Sequence, residues 1–102
     1  MLDPEKTKVA SDLLVGHWDQ GTRLDAIPRE LRPRTRGEGY AVQSHVLDHS
    51  TAPLFGWKIA ATSLAGQRHI NVDGPMAGRL LAEKLVEVGG IVSLATSKMR
   101  VA

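Results

Sequence analysis

The strongest constraint on this chain is a run in its middle, Leu54-Phe55-Gly56-Trp57-Lys58-Ile59-Ala60-Ala61-Thr62. The run is short and apolar, and Pro53 and Ser63 bound it. Its length and its aromatic content predict a buried strand over 54–62. Lys58 breaks the apolar pattern from inside. A lysine in such a strand must reach water, find a carboxylate partner, or lose its charge. Lysines that hold a substrate carboxylate or move a proton occupy such positions. The competing structural role is an edge-strand lysine whose stem packs on Trp57 while its ammonium reaches out to water.

The rest of the chain frames that strand with helices. Asp3 is placed to cap a helix and Pro4 suits its first position. Val9, Ala10, Leu13, Leu14, His17 and Trp18 recur at spacings of three and four, which predicts one apolar stripe on a helix over 4–18 with Gly21 as its stop. Residues 22–34, with Pro28 and Pro33, read as an extended connector. Thr35 and Glu38 stand three apart, the spacing of a capping box in which each side chain satisfies the other's exposed backbone N–H. The helix it opens, over 36–48, buries Tyr40 or Gly39, then Val42, Gln43, Val46 and Leu47. Ser63 caps a short turn of helix over 64–68, and Asn71-Val72-Asp73-Gly74-Pro75 is a turn. By spacing alone, Met76, Ala77, Leu80, Leu81, Leu85 and Val88 match a helical face that Gly89-Gly90 terminates. A second strand is expected over 91–94, and residues 99–102 read as the start of another. The fold class is therefore α+β.

Composition limits the functions open to such a chain. With 102 residues it forms one small domain or part of one, and its 42% hydrophobic and 24% charged content is globular. The absence of cysteine excludes a disulfide framework, a thiolate zinc site and a cysteine nucleophile. No apolar run approaches the roughly 20 residues that span a bilayer, and the first residues lack the layout of a signal peptide. A cytoplasmic location and no membrane partner are the expectation. The net charge is only +2, yet Arg23, Arg29, Arg32, Arg34 and Arg36 crowd one stretch. Such a cluster can meet an anion. It lacks interleaved aromatics for base stacking, so it reads as a solvated connector and no nucleic-acid partner is expected.

Few other residues carry a signal. Asp73, before Gly74, is a turn residue first and a carboxylate partner for Lys58 or a general acid/base second. His45 and His49 form an i,i+4 pair able to share a metal, but no Glu follows His45 to make the metalloprotease pattern, and Asp48 is expected to point elsewhere on the helix. Gly66, Gly74 and Gly78 do not make a phosphate loop. Ser44, Ser63 and Ser93 lack a nucleophile elbow.

Two segments together resemble a known family. They are Gly56-Trp57-Lys58-Ile59-Ala60-Ala61-Thr62-Ser63 and His69-Ile70-Asn71-Val72-Asp73-Gly74-Pro75-Met76-Ala77-Gly78-Arg79-Leu80, with Leu31-Arg32-Pro33-Arg34 and Tyr40-Ala41-Val42-Gln43 ahead of them. They are similar to the 2-keto-4-pentenoate hydratase family of the fumarylacetoacetate hydrolase superfamily. The resemblance covers essentially the whole chain.

It implies that residues 1–102 are the N-terminal part of a longer hydratase-type domain, with N-terminal helices followed by the first strands of a mixed β-rich core. It also implies that 76–88 is broken into turns and strand pieces rather than one helix. The implied reaction is hydration of 2-hydroxypenta-2,4-dienoate to 4-hydroxy-2-oxopentanoate in aromatic catabolism. Lys58 matches the family's active-site lysine and Asp73 a nearby carboxylate. A Glu-x-Glu pair that holds Mg²⁺ or Mn²⁺ in the family falls beyond Ala102. The implied expectation is a fragment that binds no metal and is inactive alone, associating as a homo-oligomer or with a full-length homologue. A related 2-oxo-3-hexenedioate decarboxylase is the alternative activity.

Overall fold

A computed structural model describes residues 2–93. They form an α+β arrangement in the element order α1 (Pro4–Gln20), α2 (Arg36–Ser44), β1 (Gly56–Ala60), α3 (Leu64–His69) and β2 (Met76–Leu80). Short 3-10 turns occupy Arg29–Leu31, His45–His49 and Ala82–Lys84. The chain divides into two compact units, Ser50–Leu85 and the residues on either side of that segment.

In the helical unit, local chemistry sets the ends of α1. The Asp3 carboxylate accepts the Lys6 N–H at 2.8 Å, and Pro4 follows at the first helical position. At the far end Gly21 takes φ 66°, a left-handed conformation that glycine adopts without a Cβ penalty. The Thr22 N–H then reaches the His17 carbonyl at 3.0 Å, and the Thr22 hydroxyl meets His17 Nδ1 at 2.7 Å. Thr35 caps α2 by accepting the Glu38 N–H at 3.1 Å. Glu38 returns its carboxylate to the N–H of Arg34, one residue ahead of the cap, not to Thr35 itself.

The buried face of α1 differs from the predicted stripe. Thr7, Ala10, Ser11 and Val15 are buried, whereas Val9, Leu14 and Trp18 are each more than a third exposed. Thr7, Ser11 and Val15 follow one i,i+4 line, so the packed seam is rotated from the large apolar residues toward small ones. Helix α2 and the 3-10 turns at Arg29–Leu31 and His45–His49 pack on α1, and small residues let them approach. Val42 is the buried residue α2 contributes, with Tyr40, Gln43, Val46 and Leu47 half-buried.

In the second unit, β1 and β2 form a two-stranded antiparallel ladder. Trp57 pairs with Arg79, Lys58 with Gly78, Ile59 with Ala77 and Ala60 with Met76. The helix that apolar spacing predicts over 76–88 is absent. Met76–Leu80 is β2, and only a 3-10 turn follows at Ala82–Lys84. Pairing with β1 satisfies the backbone of this segment and outweighs a helix-compatible spacing. This is the broken arrangement that the resemblance implies.

Strand β1 is shorter than expected and is not buried. Trp57 and Ile59 are half exposed, because the described sheet has two strands and no second layer covers that face. Residues 91–93, expected to begin a strand over 91–94, adopt no regular structure, and Ile91 is exposed. No described strand pairs with them, and an apolar run without a ladder partner does not become a strand. Leu94 and the expected strand over 99–102 lie outside the described residues. No described helix is long and apolar enough to cross a membrane.

Candidate functional site around Lys58

The hairpin fixes the surroundings of Lys58. Side chains alternate across a strand, so Lys58 shares its face with Gly56 and Ala60, while Phe55, Trp57 and Ile59 share the other. Directly across the ladder stands Gly78. The nearest strand neighbours of the lysine are therefore two glycines and an alanine. A Cβ placed on Gly78 would already stand 3.9 Å from the Lys58 carbonyl oxygen. The Lys58 side chain is exposed on a face that β2 shares through Met76, Gly78 and Leu80, and its ammonium makes no hydrogen bond or ion pair with a described residue.

Lys58 stands exposed on a strand of a two-stranded sheet, as the competing structural role expects, but without Trp57 on its face. The two residues are adjacent in β1 and point to opposite faces. Trp57 instead receives the Arg79 guanidinium, 4.7 Å from its ring centroid, from the cross-strand pair. Sequence reasoning missed this contact because it follows from the register of β2, a segment whose spacing reads as helix.

Asp73 lies in the connection from α3 to β2. The Ser63 hydroxyl caps α3 by accepting the Gly66 N–H at 3.0 Å. The Gln67 amide donates to the Ala61 carbonyl at 3.1 Å, tying α3 back to the end of β1. The helix then closes on Asn71 at φ 57°, and the Val72 N–H bonds to the Gln67 carbonyl at 2.9 Å. Asp73 and Gly74 form the exposed bend that turns into β2. Lys58 and Asp73 thus belong to one unit, with α3 between them in the chain, and no ion pair joins them.

A second clasp shapes this unit. Glu83 accepts the Ser50 hydroxyl at 2.7 Å, the Thr51 N–H at 2.9 Å and the Thr51 hydroxyl at 3.4 Å. The Ser50 hydroxyl, helped by backbone N–H groups of Glu83, Thr51 and Ala52, holds the Glu83 carboxyl down to about 2. Glu83 gives no sequence signal for this role, because its partners Ser50 and Thr51 lie more than thirty residues away in the chain.

The histidines are not arranged as a shared metal pair. His45 Nδ1 meets Asp48 at 2.9 Å, and His49 Nε2 meets Asp12 on α1 at 2.8 Å. Asp48 does not point elsewhere on the helix, as α-helical spacing predicts, but meets His45. The segment is a 3-10 turn, in which i and i+3 eclipse, and that brings Asp48 under His45. Hydrogen bonds first from Lys8 and then from His49 hold the Asp12 carboxyl below its ordinary value. Among the described residues no three His, Asp or Glu side chains converge as a metal site. The described residues therefore do not form a cage for Mg²⁺ or Mn²⁺. No protein-family model, no curated protein and no solved structure matches the chain.

Proposed function

We propose that this chain carries the lysine-bearing part of a 2-keto-4-pentenoate hydratase site and takes part in hydrating 2-hydroxypenta-2,4-dienoate to 4-hydroxy-2-oxopentanoate. The observation that carries the reading is the exposed Lys58 in an otherwise apolar strand, whose cross-strand partner is Gly78 and whose ammonium makes no hydrogen bond or ion pair with a described residue. The residue pattern of β1 and of the Asp73 turn supports it.

The chemistry accounts for a cation in that place. The dienol gives up its hydroxyl proton and gains a proton at its terminal carbon, leaving a conjugated 2-oxo acid. Water then adds at the fourth carbon, and the third carbon takes a proton. Negative charge develops on the oxygen of the second carbon during both steps. An ammonium fixed beside the substrate carboxylate and that oxygen lowers the barrier by electrostatic stabilisation, and it can also pass a proton. Asp73 serves as the nearby carboxylate. The family's divalent metal would polarise the 2-oxo acid.

The test is a chimera in which residues 1–102 replace the matching segment of a hydratase of this family. Conversion of the dienol to 4-hydroxy-2-oxopentanoate, identified by mass spectrometry, supports the proposal. A folded, correctly assembled chimera with no turnover overturns it. Carbon dioxide release from 2-oxo-3-hexenedioate would instead assign the related decarboxylase activity.

A second reading rests on the other face of β1, where Phe55, Trp57 and Ile59 are each about half exposed. An apolar face of that kind supports association with a full-length homologue or another copy of the chain. Co-purification with such a homologue supports this reading, and a lone monomer counts against it.

A further inference from the structure

The arginine-rich connector does more than link two helices. Pro28 and Pro33 hold it extended on either side of the turn at Arg29–Leu31, with Arg32 at φ −78° and ψ 123° ahead of Pro33. This path brings Arg29, Arg32 and Arg34 around one cleft of about 210 Å³, with Lys6 of α1 on its wall. Glu30, Glu38 and Leu2 complete the lining. Four cations thus face two carboxylates.

The two acids offset only part of the positive charge and pair with none of the cations directly. No ion pair between described residues involves Lys6, Arg29, Arg32 or Arg34. Glu38 is committed to the Arg34 backbone N–H as part of the α2 cap. Arg32 is held in place, its Nε and one terminal nitrogen donating to the Ile27 carbonyl at 3.2 and 2.9 Å. That anchoring orients the planar guanidinium and leaves its other N–H groups to bond elsewhere. Four cations against two carboxylates leave the cleft with an excess of positive charge that attracts an anion. Arginine forks match tetrahedral and planar oxyanions with paired hydrogen bonds. The cleft is smaller than the roughly 300–1,000 Å³ of drug-sized ligand sites, so its size suits a compact anion.

We propose that the cleft between the start of α1 and the connector, lined by Lys6, Arg29, Arg32 and Arg34, binds a compact phosphate dianion, free or as the head of a small phosphate monoester. The site lies on the helical unit, whereas Lys58 and Asp73 belong to the other. Because the cations are exposed, binding weakens as ionic strength rises.

The test is a nitrogen-15 NMR titration of the full chain with inorganic phosphate and, separately, with glycerol phosphate, at ionic strength held constant with chloride. The proposal expects saturable shifts at Lys6, Arg29, Arg32 and Arg34 for at least one of the two. The tighter ligand identifies the source of the phosphate. The Arg29→Gln/Arg34→Gln double variant should weaken binding about tenfold, two exposed charge contacts together. Lys6→Gln, on a different element, should weaken it as well and stands in if the double variant loses its fold. Shifts that do not saturate, that chloride alone reproduces, or that survive both variants overturn the proposal. Tighter binding of a single-stranded oligonucleotide than of either phosphate, at the same residues, also overturns it and assigns the surface to nucleic acid.

Discussion

Ser11 offers a prediction whose sign runs against the usual effect of a core substitution. It sits in the middle of α1 with 0% exposure, on the seam between Thr7 and Val15. Its Oγ is buried without a hydrogen-bond partner. A buried hydroxyl left unpaired costs about 1–3 kcal/mol. Alanine removes that atom and adds a few tenths of a kcal/mol of helix propensity, about 0.5 kcal/mol. The packing lost with one oxygen is small against these terms. Ser11→Ala should therefore stabilise the protein by about 1–2 kcal/mol. The assay is urea unfolding followed by far-UV circular dichroism, with the midpoint raised and the slope unchanged. The thermal midpoint should rise by about 4–8 °C for each kcal/mol gained. A lower midpoint in Ser11→Ala would refute the reasoning, since it would show that the hydroxyl makes a bond worth more than its burial costs.

Other perturbations probe the caps and the clasp. Asp3→Ala removes the acceptor of the Lys6 N–H and should lower stability by about 1 kcal/mol in the same urea assay, with Asp3→Asn recovering most of it. Glu83 has a folded-state value of about 2 against 4.5 for a free carboxyl. Its folded value is the lower one, so its bonds to Ser50 and Thr51 add stability above pH 4.5 that is lost as pH falls toward 2. Glu83→Gln should flatten the pH dependence of the urea midpoint across that window and leave the remaining acid sensitivity in place. Lys58→Met should shift the midpoint by less than about 0.5 kcal/mol, because the exposed ammonium touches no described residue.

The parts of the fold that were legible in the sequence are those decided locally. Asp3-Pro4, Thr35, Ser63 and Gly21 act within three or four residues of themselves, and each starts or stops an element where the residue type requires it. The parts that were not legible depend on partners distant in the chain. Spacing places Val9, Leu14 and Trp18 in the α1 stripe, but which face of a helix is buried depends on what packs against it. Met76, Ala77, Leu80 and Leu81 fit both a helix and a strand, and the ladder with β1 decides between them. The run over 91–94 has strand composition and no described strand to pair with. At the candidate site, Lys58 was visible as a cation out of place in an apolar run. The reason it stands open was not, since Gly78 becomes its neighbour only through the register of β2. The convergence of Lys6 with Arg29, Arg32 and Arg34 was hidden for the same reason, because the sequence shows the arginines together but not the helix wall that completes the cleft.

The central claim is that Lys58 acts on the substrate and does not merely sit on an exposed strand. The most direct measurement is the hydration rate of 2-hydroxypenta-2,4-dienoate by the chimera, with Lys58 and with Lys58→Met, at matched circular dichroism spectra. A positioned lysine that stabilises charge or passes a proton predicts a fall of about 10²–10⁴-fold in kcat for the variant. An unchanged kcat would contradict the account and return Lys58 to the role of a solvated strand residue.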